Sequence, residues 1–235
     1  MTEAFLFLNP ISSIPGFRAD WIPRLSEVDV LGDRDFALRN LAPHHDTIIA
    51  ERFPETLTRH HAEQIHGNRV ALIDSPSGTA PITHPLVDGL ITNLPGQLLA
   101  IYVADCAAIY LADPVTRSIA LLHSGKKGTE GNILAAAVGK MEATFGTDPA
   151  DLICALSPCI RPPDYEVDIA STIAAQARGL GIRNYHDSCE NTASDLTRHY
   201  SYRIEKGQTG RMLALLSLST FSADHNRPQG DGGTN

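Results

Sequence analysis

The chain has 235 residues, of which 43% are hydrophobic, and a formal net charge of −8 at pH 7. This length and composition permit a substantial core without cross-links. The 19 lysines and arginines are scattered, so composition argues against a nucleic-acid partner, which needs a clustered basic surface. No apolar run approaches the roughly 20 residues that span a bilayer, and no signal-peptide pattern opens the chain. We therefore expect a cytoplasmic protein without membrane contact, whose four cysteines are free thiols or ligands.

The first half of the chain predicts one early helix and several strands. The run FLFLNPI (5–11) favours a strand, and DTIIAERF (46–53) favours a short helix ended by Pro54. Apolar runs bounded by Pro, Gly and Asp are typical of strands buried on both faces. The runs of this kind are RVALID (69–74), GQLLAIYVAD (96–105), CAAIYLAD (106–113) and SIALLH (118–123).

The second half mixes helices with further strands. Thr129 is predicted to cap a helix over 129–146, and Asp168 a helix over 168–181. A third helix is predicted over 194–203, and strands over 151–158 and 211–219. Because the order lacks a strict βαβ alternation, we predict an α/β (α+β) fold with mixed sheets covered by helices. We expect a single domain over 1–222 and a disordered tail over 223–235, which is poor in apolar residues.

Three residues stand out where apolar runs meet turns. They are His66 in EQIHGN, Cys106 after YVAD, and His123 at the end of SIALLH. Two imidazoles and a thiolate form a three-ligand set for Zn²⁺ that leaves a fourth position for water or substrate. The spacings of 40 and 17 residues match no local zinc motif. The set is therefore a hypothesis, weighed against a core cysteine and hydrogen-bonded histidines.

The segment HSGKKGTEGN, which follows the third of these residues, is a candidate anion site. It joins a strand to a helix and contains glycines and lysines, but it lacks the order and spacing of a P-loop, so a nucleoside triphosphatase is not expected. Backbone N–H groups and a lysine charge could still hold phosphate, although a solvated basic turn is the alternative. The candidate residues are Ser124, Gly125, Lys126, Lys127 and Gly128.

Other polar residues have weaker signals. Gln64 would lie on the same side as His66 if both were in a strand, and could then bind ligand. Asp105 is the nearest carboxylate for proton transfer, whereas the pairs His44–His45 and His60–His61 are interpreted as surface. Four residues at element ends could line a cleft or face water: Tyr165, Glu166, Arg203 and Arg211.

Successive blocks of the chain resemble the YfiH family, also described as laccase-like or multi-copper polyphenol oxidase proteins. The blocks are QIHG, DGLITNLPGQLLAIYVADCAAIYLADP, IALLHSGKKGTEGNIL, SPCIRPPDYEV and YSYRIEKGQTGR, and the resemblance runs in order from about residue 60 to 218. The resemblance implies a one-domain α/β fold and a zinc site made by His66, Cys106 and His123. It also implies purine nucleoside phosphorylase and adenosine deaminase activity or, for some members, peptidoglycan-editing amidase activity. Where the family has Trp–Arg after the histidine turn, this chain has Lys126–Lys127, which keeps charge but loses arginine's bidentate geometry.

The sequence therefore predicts a zinc enzyme acting on a purine nucleoside and phosphate. Cys106, His123 and Asp105 are the candidate catalytic residues, while Gln64, Arg203 and Arg211 join the turn at Ser124–Gly128 in binding substrate. Four alternatives stay open: a metal-free cysteine hydrolase using Cys106 and His123, a muropeptide amidase, a copper phenol oxidase and a non-enzymatic binding module. Copper is disfavoured because the chain lacks the His-x-His pairs of multicopper clusters.

Overall fold

The computed structural model describes residues 5–55, 57–75, 78 and 80–219, so the predicted tail over 223–235 lies outside the described residues. The strands are β1 (Phe17–Ile22), β2 (Thr58–Ala62), β3 (Val70–Leu72), β4 (Ile82–His84), β5 (Gly89–Thr92), β6 (Gln97–Val103), β7 (Ala107–Asp113), β8 (Ser118–Ser124), β9 (Ile153–Leu156), β10 (Asn184–Asp187) and β11 (Met212–Leu218). The helices are α1 (Asn9–Ser12), α2 (Arg34–Arg52), α3 (Lys126–Glu130), α4 (Ile133–Phe145) and α5 (Ile169–Gly179), with 3-10 turns at Leu6–Leu8 and Pro149–Asp151. No helix in the described ranges is both long and apolar enough to cross a membrane.

The strands form two mixed sheets, which confirms the predicted fold class. Sheet 1 has the order β1-β11-β6-β2-β4, and sheet 2 the order β10-β9-β7-β8-β5-β3. Antiparallel pairs such as β7–β8 lie beside parallel pairs such as β2–β6 in the same sheets. The four strands predicted over residues 96–123 and 211–219 are confirmed as β6, β7, β8 and β11.

Alternating side chains along the central strands build a layered core. On β6, Leu99 and Ile101 face sheet 2 in the largest apolar cluster, whereas Leu98 and Ala100 pack with Ile48 and Ile49 of α2. The outer face of sheet 2 packs against α4 and α5. Both faces of both sheets are therefore covered, which explains why the central strands lack hydrophobic–polar alternation.

The predicted N-terminal cap is confirmed for α5 and wrong for α4. Asp168 accepts a hydrogen bond from Ser171 N at 2.9 Å, as predicted for the start of α5. The predicted helix over 129–146 is split, and Asn132 rather than Thr129 caps its main part. The reason is that Thr129 lies inside α3, with its hydroxyl 2.8 Å from Ser124 Oγ. Helix α2 begins at Arg34, well before the predicted 46–53, and runs through Pro43.

Two predicted elements are wrong. Residues 5–11 form a 3-10 turn and α1 instead of a strand, with Pro10 in the first turn and Leu8 and Ile11 buried at helical spacing. Residues 194–203 form turns instead of a helix. The Asp195 carboxylate accepts from Thr197 N at 2.9 Å, a local bond that competes with helix formation.

Candidate metal centre and cleft

The three predicted ligands meet where the chain passes between the sheets. His66 lies in the loop from β2 of sheet 1 to β3 of sheet 2, and Cys106 lies between β6 of sheet 1 and β7 of sheet 2. His123 is on β8, paired with Ala108 across the ladder. The topology thus brings together residues that are far apart in sequence.

Their geometry suits a single metal ion. One ligand atom from each of His66, Cys106 and His123 lies within 4.8 Å of the others. The two imidazole rings meet edge to face, with centroids 4.8 Å apart. His66 is exposed and His123 is buried, so the group lies at a boundary between core and solvent. Such a set can hold a metal while leaving one side open to substrate.

A buried carboxylate that the sequence analysis missed organises this group. Asp88 Oδ1 accepts from His66 N and from His123 Nδ1, both at 2.8 Å. Asp88 Oδ2 accepts from Gly67 N at 2.7 Å and Ile65 N at 3.2 Å. Asp88 therefore fixes the His66 loop and directs the other ring nitrogen of His123 towards Cys106, the usual arrangement for a metal-binding histidine.

Charge is concentrated on the thiol and the buried imidazole. Burial raises the pKa of Cys106, but the neighbouring His123 and hydrogen bonds from both histidines outweigh it and lower the pKa to about 6. Burial lowers the pKa of His123, but the Cys106 thiolate and Asp88 outweigh it, so the pKa is raised. At neutral pH the metal-free site is thus a thiolate beside an imidazolium, and the thiolate is the ligand form that metals require.

Gly125 is required by the close approach of the thiol. A Cβ atom at this position would lie 2.6 Å from Cys106 Sγ and 3.4 Å from His66 Cδ2. The backbone of Gly125, with φ of −90°, would accept any residue. Its role is therefore spatial: it makes room for two of the three candidate ligands.

The Asp105 carboxylate accepts hydrogen bonds from residues that are distant in sequence. Its Oδ1 accepts from Thr192 Oγ1 at 2.7 Å and Ser201 Oγ at 2.8 Å, and its Oδ2 accepts from Arg203 N at 2.6 Å. Asp105 has φ of 73°, in the left-handed region that non-glycine residues adopt only with such support. Because Asp105 directly precedes Cys106, these hydrogen bonds connect the backbone at Cys106 to the loop that contains Arg203.

Gln64 lies in a loop, not in the strand assumed by the sequence analysis. It has φ of 65°, and its amide pairs with the backbone of Tyr102, accepting from Tyr102 N at 3.0 Å and donating to Tyr102 O at 2.5 Å. Its side chain therefore positions the loop before His66, although Gln64 still lines the cleft.

A cleft of about 1220 Å³ opens over the metal group. Its lining includes the three candidate ligands, the aromatic residues Tyr102, Tyr165 and Tyr202, and the basic residues Arg34, Lys126, Lys127, Arg203, Lys206 and Arg211. Arg203 lies over the Tyr165 ring and donates to Glu166 at 2.7 Å, and Arg211 lies over the Tyr202 ring. A strongly basic cleft in a chain of net charge −8 favours an anionic ligand.

The predicted anion turn is brought only partly into this cleft. Lys126 and Lys127 are exposed and line it. Ser124 is fully buried, and Gly128 packs so closely that an added Cβ would lie 3.1 Å from Gly67 O. Ser124, Gly125 and Gly128 do not line the cleft, so only the lysine side chains of this turn lie on its wall.

The interpretation of the histidine pairs as surface holds for His44, which is exposed, and is wrong for one member of each pair. His45 and His60 are buried. His60 lies 3.0 Å from His84 Nε2 and 2.8 Å from Gln97 Oε1, whereas His45 and His61 both stack on Tyr102. Cys154 and Cys159 are buried free thiols, as expected for core cysteines.

Several site residues were missed because their sequence context is ordinary. Asp88 follows a loop and precedes a short strand, and Arg34 and Lys206 look like surface charges. The one available signal was a lone carboxylate in DGLIT, directly before an apolar strand.

Comparisons with family models, related sequences and solved structures agree on one family. Residues 44–170 and 167–219 match the family model described as multi-copper polyphenol oxidoreductase laccase. Purine nucleoside phosphorylase SCO2081 of Streptomyces coelicolor is 32% identical over 183 residues, which cover 66% of this chain and 73% of that protein. A purine nucleoside phosphorylase of Deinococcus radiodurans is 33% identical over 181 residues, covering 66% and 68%.

Solved structures share the fold. YlmD from Geobacillus stearothermophilus has a TM-score of 0.74 at 23% identity, covering 88% of this chain and 93% of that one. Bacillus licheniformis YfiH has a TM-score of 0.70 at 21% identity, covering 77% and 82%. Because the family model spans most of the chain, including His66, Cys106 and His123, this chain belongs to the YfiH family of multi-copper polyphenol oxidoreductase laccase proteins.

Proposed function

We propose that this protein is a zinc-dependent purine nucleoside phosphorylase that also deaminates adenosine. The observation that carries the proposal is a His–Cys–His group, fixed by Asp88, at the floor of a cleft lined by cations and tyrosines. The names of the relatives from Streptomyces coelicolor and Deinococcus radiodurans support the nucleoside substrate.

The donor set fits zinc better than a copper cluster. His66, Cys106 and His123 form the one group of three metal-ligating side chains found among the described residues, whereas a multicopper enzyme needs several such groups. Met141 and Met212 lie in the apolar core, so neither offers the axial thioether of a blue-copper site. Nitrogen and thiolate ligands with one open position are typical of catalytic zinc.

When bound, Zn²⁺ would supply Lewis acidity and lower the pKa of water in the cleft. The chain's own residues would do the rest. Lys126 and Lys127 would hold inorganic phosphate, whose oxygen attacks C1′ of the nucleoside as the bond from C1′ to the purine breaks. Asp88 would keep His123 oriented, and Asp105 would position Arg203 along the substrate rather than transfer protons, since its oxygens already accept three hydrogen bonds.

A cysteine hydrolase is the second candidate, and a specific contact favours it. Cys106, His123 and Asp88 are connected in the order of nucleophile, base and orienting carboxylate. Such an enzyme would work without metal, whereas the zinc proposal uses the thiolate as a ligand.

The test is elemental analysis of protein purified without added metal, followed by incubation with adenosine with and without phosphate. We expect about one zinc per chain, inosine without phosphate, and adenine with ribose 1-phosphate only when phosphate is present. Cys106→Ala should lose zinc and both activities, while Cys189→Ser, at an exposed free cysteine, should keep them.

Full activity of metal-free protein would favour the hydrolase. Muropeptide cleavage without nucleoside turnover would favour an amidase, and copper-dependent oxygen uptake with a phenol would favour an oxidase.

A further inference from the structure

The cleft contains more positive charge than one phosphate requires. Six basic side chains line it, against two carboxylates, Asp33 and Asp105. Both carboxylates are already engaged: Asp33 caps α2 by accepting from Phe36 N at 2.8 Å, and Asp105 accepts three hydrogen bonds. Two carboxylates therefore offset only part of the charge of six cations.

Of the six cations, Arg203 is neutralised by its ion pair with Glu166. Within the part of the chain that the structure describes, the other five form no ion pair: Arg34, Lys126, Lys127, Lys206 and Arg211. A phosphate has a charge of roughly −1.5 to −2 at pH 7, so one phosphate leaves most of this charge uncompensated.

The five cations come from three elements of the fold and form two groups. Lys126 and Lys127 begin α3, next to the metal group. Arg34 begins α2, and Lys206 and Arg211 lie on the loop before β11. Arg34 acts on Arg211 as a like charge, and the half-buried Arg211 donates only to the backbone oxygens Thr209 O (2.9 Å) and Gly210 O (2.8 Å). Asp105 and the Cys106 thiolate act on Arg211 as opposite charges, but neither forms an ion pair with it within the described residues. Neighbouring like charges of this kind are costly unless a ligand supplies an anion.

We infer that Arg34, Lys206 and Arg211 form a second anion subsite and that the nucleoside bound in the cleft carries a 5′-phosphate. The inference rests on the proposed function in taking the substrate to be a purine nucleoside. On a β-nucleoside, the 5′-carbon lies on the face of the sugar opposite to the face from which phosphate attacks C1′. Two anions on opposite faces require two separate groups of cations, and the cleft has two such groups on separate elements.

The test is equilibrium binding of adenosine and of adenosine 5′-phosphate to the zinc-loaded protein. We expect the nucleotide to bind about tenfold or more tightly than adenosine, because charge-assisted hydrogen bonds to phosphate are strong. The difference should shrink as ionic strength rises. Arg34→Gln should remove most of the advantage and change adenosine affinity by less than about twofold, and Arg211→Gln should also remove most of the advantage. Arg34 is exposed, so its variant tests the subsite without disturbing the core; Arg39→Gln, exposed on α2 outside the cleft, is the matched control.

The outcomes separate this inference from the proposed function. Equal affinities for adenosine and its 5′-phosphate would overturn the subsite, while phosphorolysis of adenosine could still stand. Tighter, variant-sensitive nucleotide binding without any turnover would support the subsite and contradict the phosphorylase. If two free phosphates bind per chain and raise adenosine affinity to that of the nucleotide, the second anion is inorganic phosphate and the 5′-phosphate assignment is wrong.

Discussion

Asp88 Oδ1 lies 2.8 Å from His123 Nδ1 and 2.8 Å from His66 N, so one oxygen atom connects two of the three candidate ligands. Burial raises the pKa of Asp88, but hydrogen bonds from His123, Gly67 and His66 outweigh it and hold the pKa below its usual value. An ionised, fully buried carboxylate therefore determines which nitrogen of His123 faces the metal group.

Asp88→Asn should weaken metal binding while the fold is retained. The amide introduced by this substitution is similar in size to the carboxylate but offers one accepting oxygen in place of two, so contacts to His123 or to the His66 loop are lost. We expect zinc affinity to fall about 10- to 100-fold, as for other partners of metal-binding histidines. Competition with a chelator measures this, and Asp151→Asn, at an exposed position, is the control. Unchanged affinity would show that Asp88 does not act on the ligands.

Gly125→Ala should displace the Cys106 thiol, because the added methyl would lie 2.6 Å from Sγ. The expected result is loss of most bound zinc with little change in the far-UV spectrum, since the backbone conformation suits alanine. Gly139→Ala is the matched control: nothing lies within 4 Å of its Cβ position, and alanine in a helix is favoured over glycine by about 1 kcal/mol. Full zinc occupancy in Gly125→Ala would mean that the thiol is not a ligand.

Lys127→Ala should weaken phosphate use without affecting the metal. The lysine is exposed on the cleft wall, and a hydrogen bond to a charged group contributes roughly 1.5–3 kcal/mol, so KM for phosphate should rise about tenfold or more. Zinc content should stay at the wild-type value, and Arg39→Ala serves as the control for removal of a surface charge. If KM for phosphate is unchanged, the lysine belongs to a solvated turn.

His45 should make stability depend on pH. Burial, and then Arg59, lower its pKa from 6.5 to about 4, and the same causes lower the pKa of His61 to about 4. Each histidine is protonated at a higher pH in the unfolded chain than in the folded one. The contribution of the two histidines to the free energy of unfolding should therefore be constant above about pH 6.5 and decrease as pH falls towards 4. The slope contributed by each histidine is at most about 1.4 kcal/mol per pH unit.

His45→Phe should flatten this dependence. Phenylalanine can keep the stacking on Tyr102, and both ring nitrogens of His45 lack a hydrogen-bond partner among the described residues. Denaturant unfolding between pH 5 and 8 measures the effect, with His44→Phe at the neighbouring exposed position as control. An unchanged slope in His45→Phe would assign the pH dependence to other groups.

The central strands could be predicted because burial on both faces leaves long apolar runs in the sequence, as in β6 and β7. The loop over residues 194–203 could not, because its path is set by bonds to the distant Asp105 carboxylate rather than by local preference. The same limit applies to the buried His45 and His60, whose polar side chains are accommodated by Tyr102 and His84 on other elements.

The candidate ligands could be predicted because each stands at the junction of an apolar run and a turn. Asp88, which holds two of them, could not, because its partners lie more than 20 residues away in both directions. Lysines and arginines of the cleft likewise have no local pattern: only the fold places Arg34 near Arg211.

The pairing of two neighbouring strands sets the spacing of two candidate ligands. Cys106 directly precedes β7, which pairs with β8 so that Ala107 lies opposite Ser124 and Ala108 lies opposite His123. The thiol and the imidazole are therefore positioned by the backbone ladder of one sheet. A slip of one residue in this register would turn the side chains of β8 to the other face of the sheet and remove His123 from the group. The buried apolar side chains that fix the register of β7 and β8 thus also preserve the candidate metal centre.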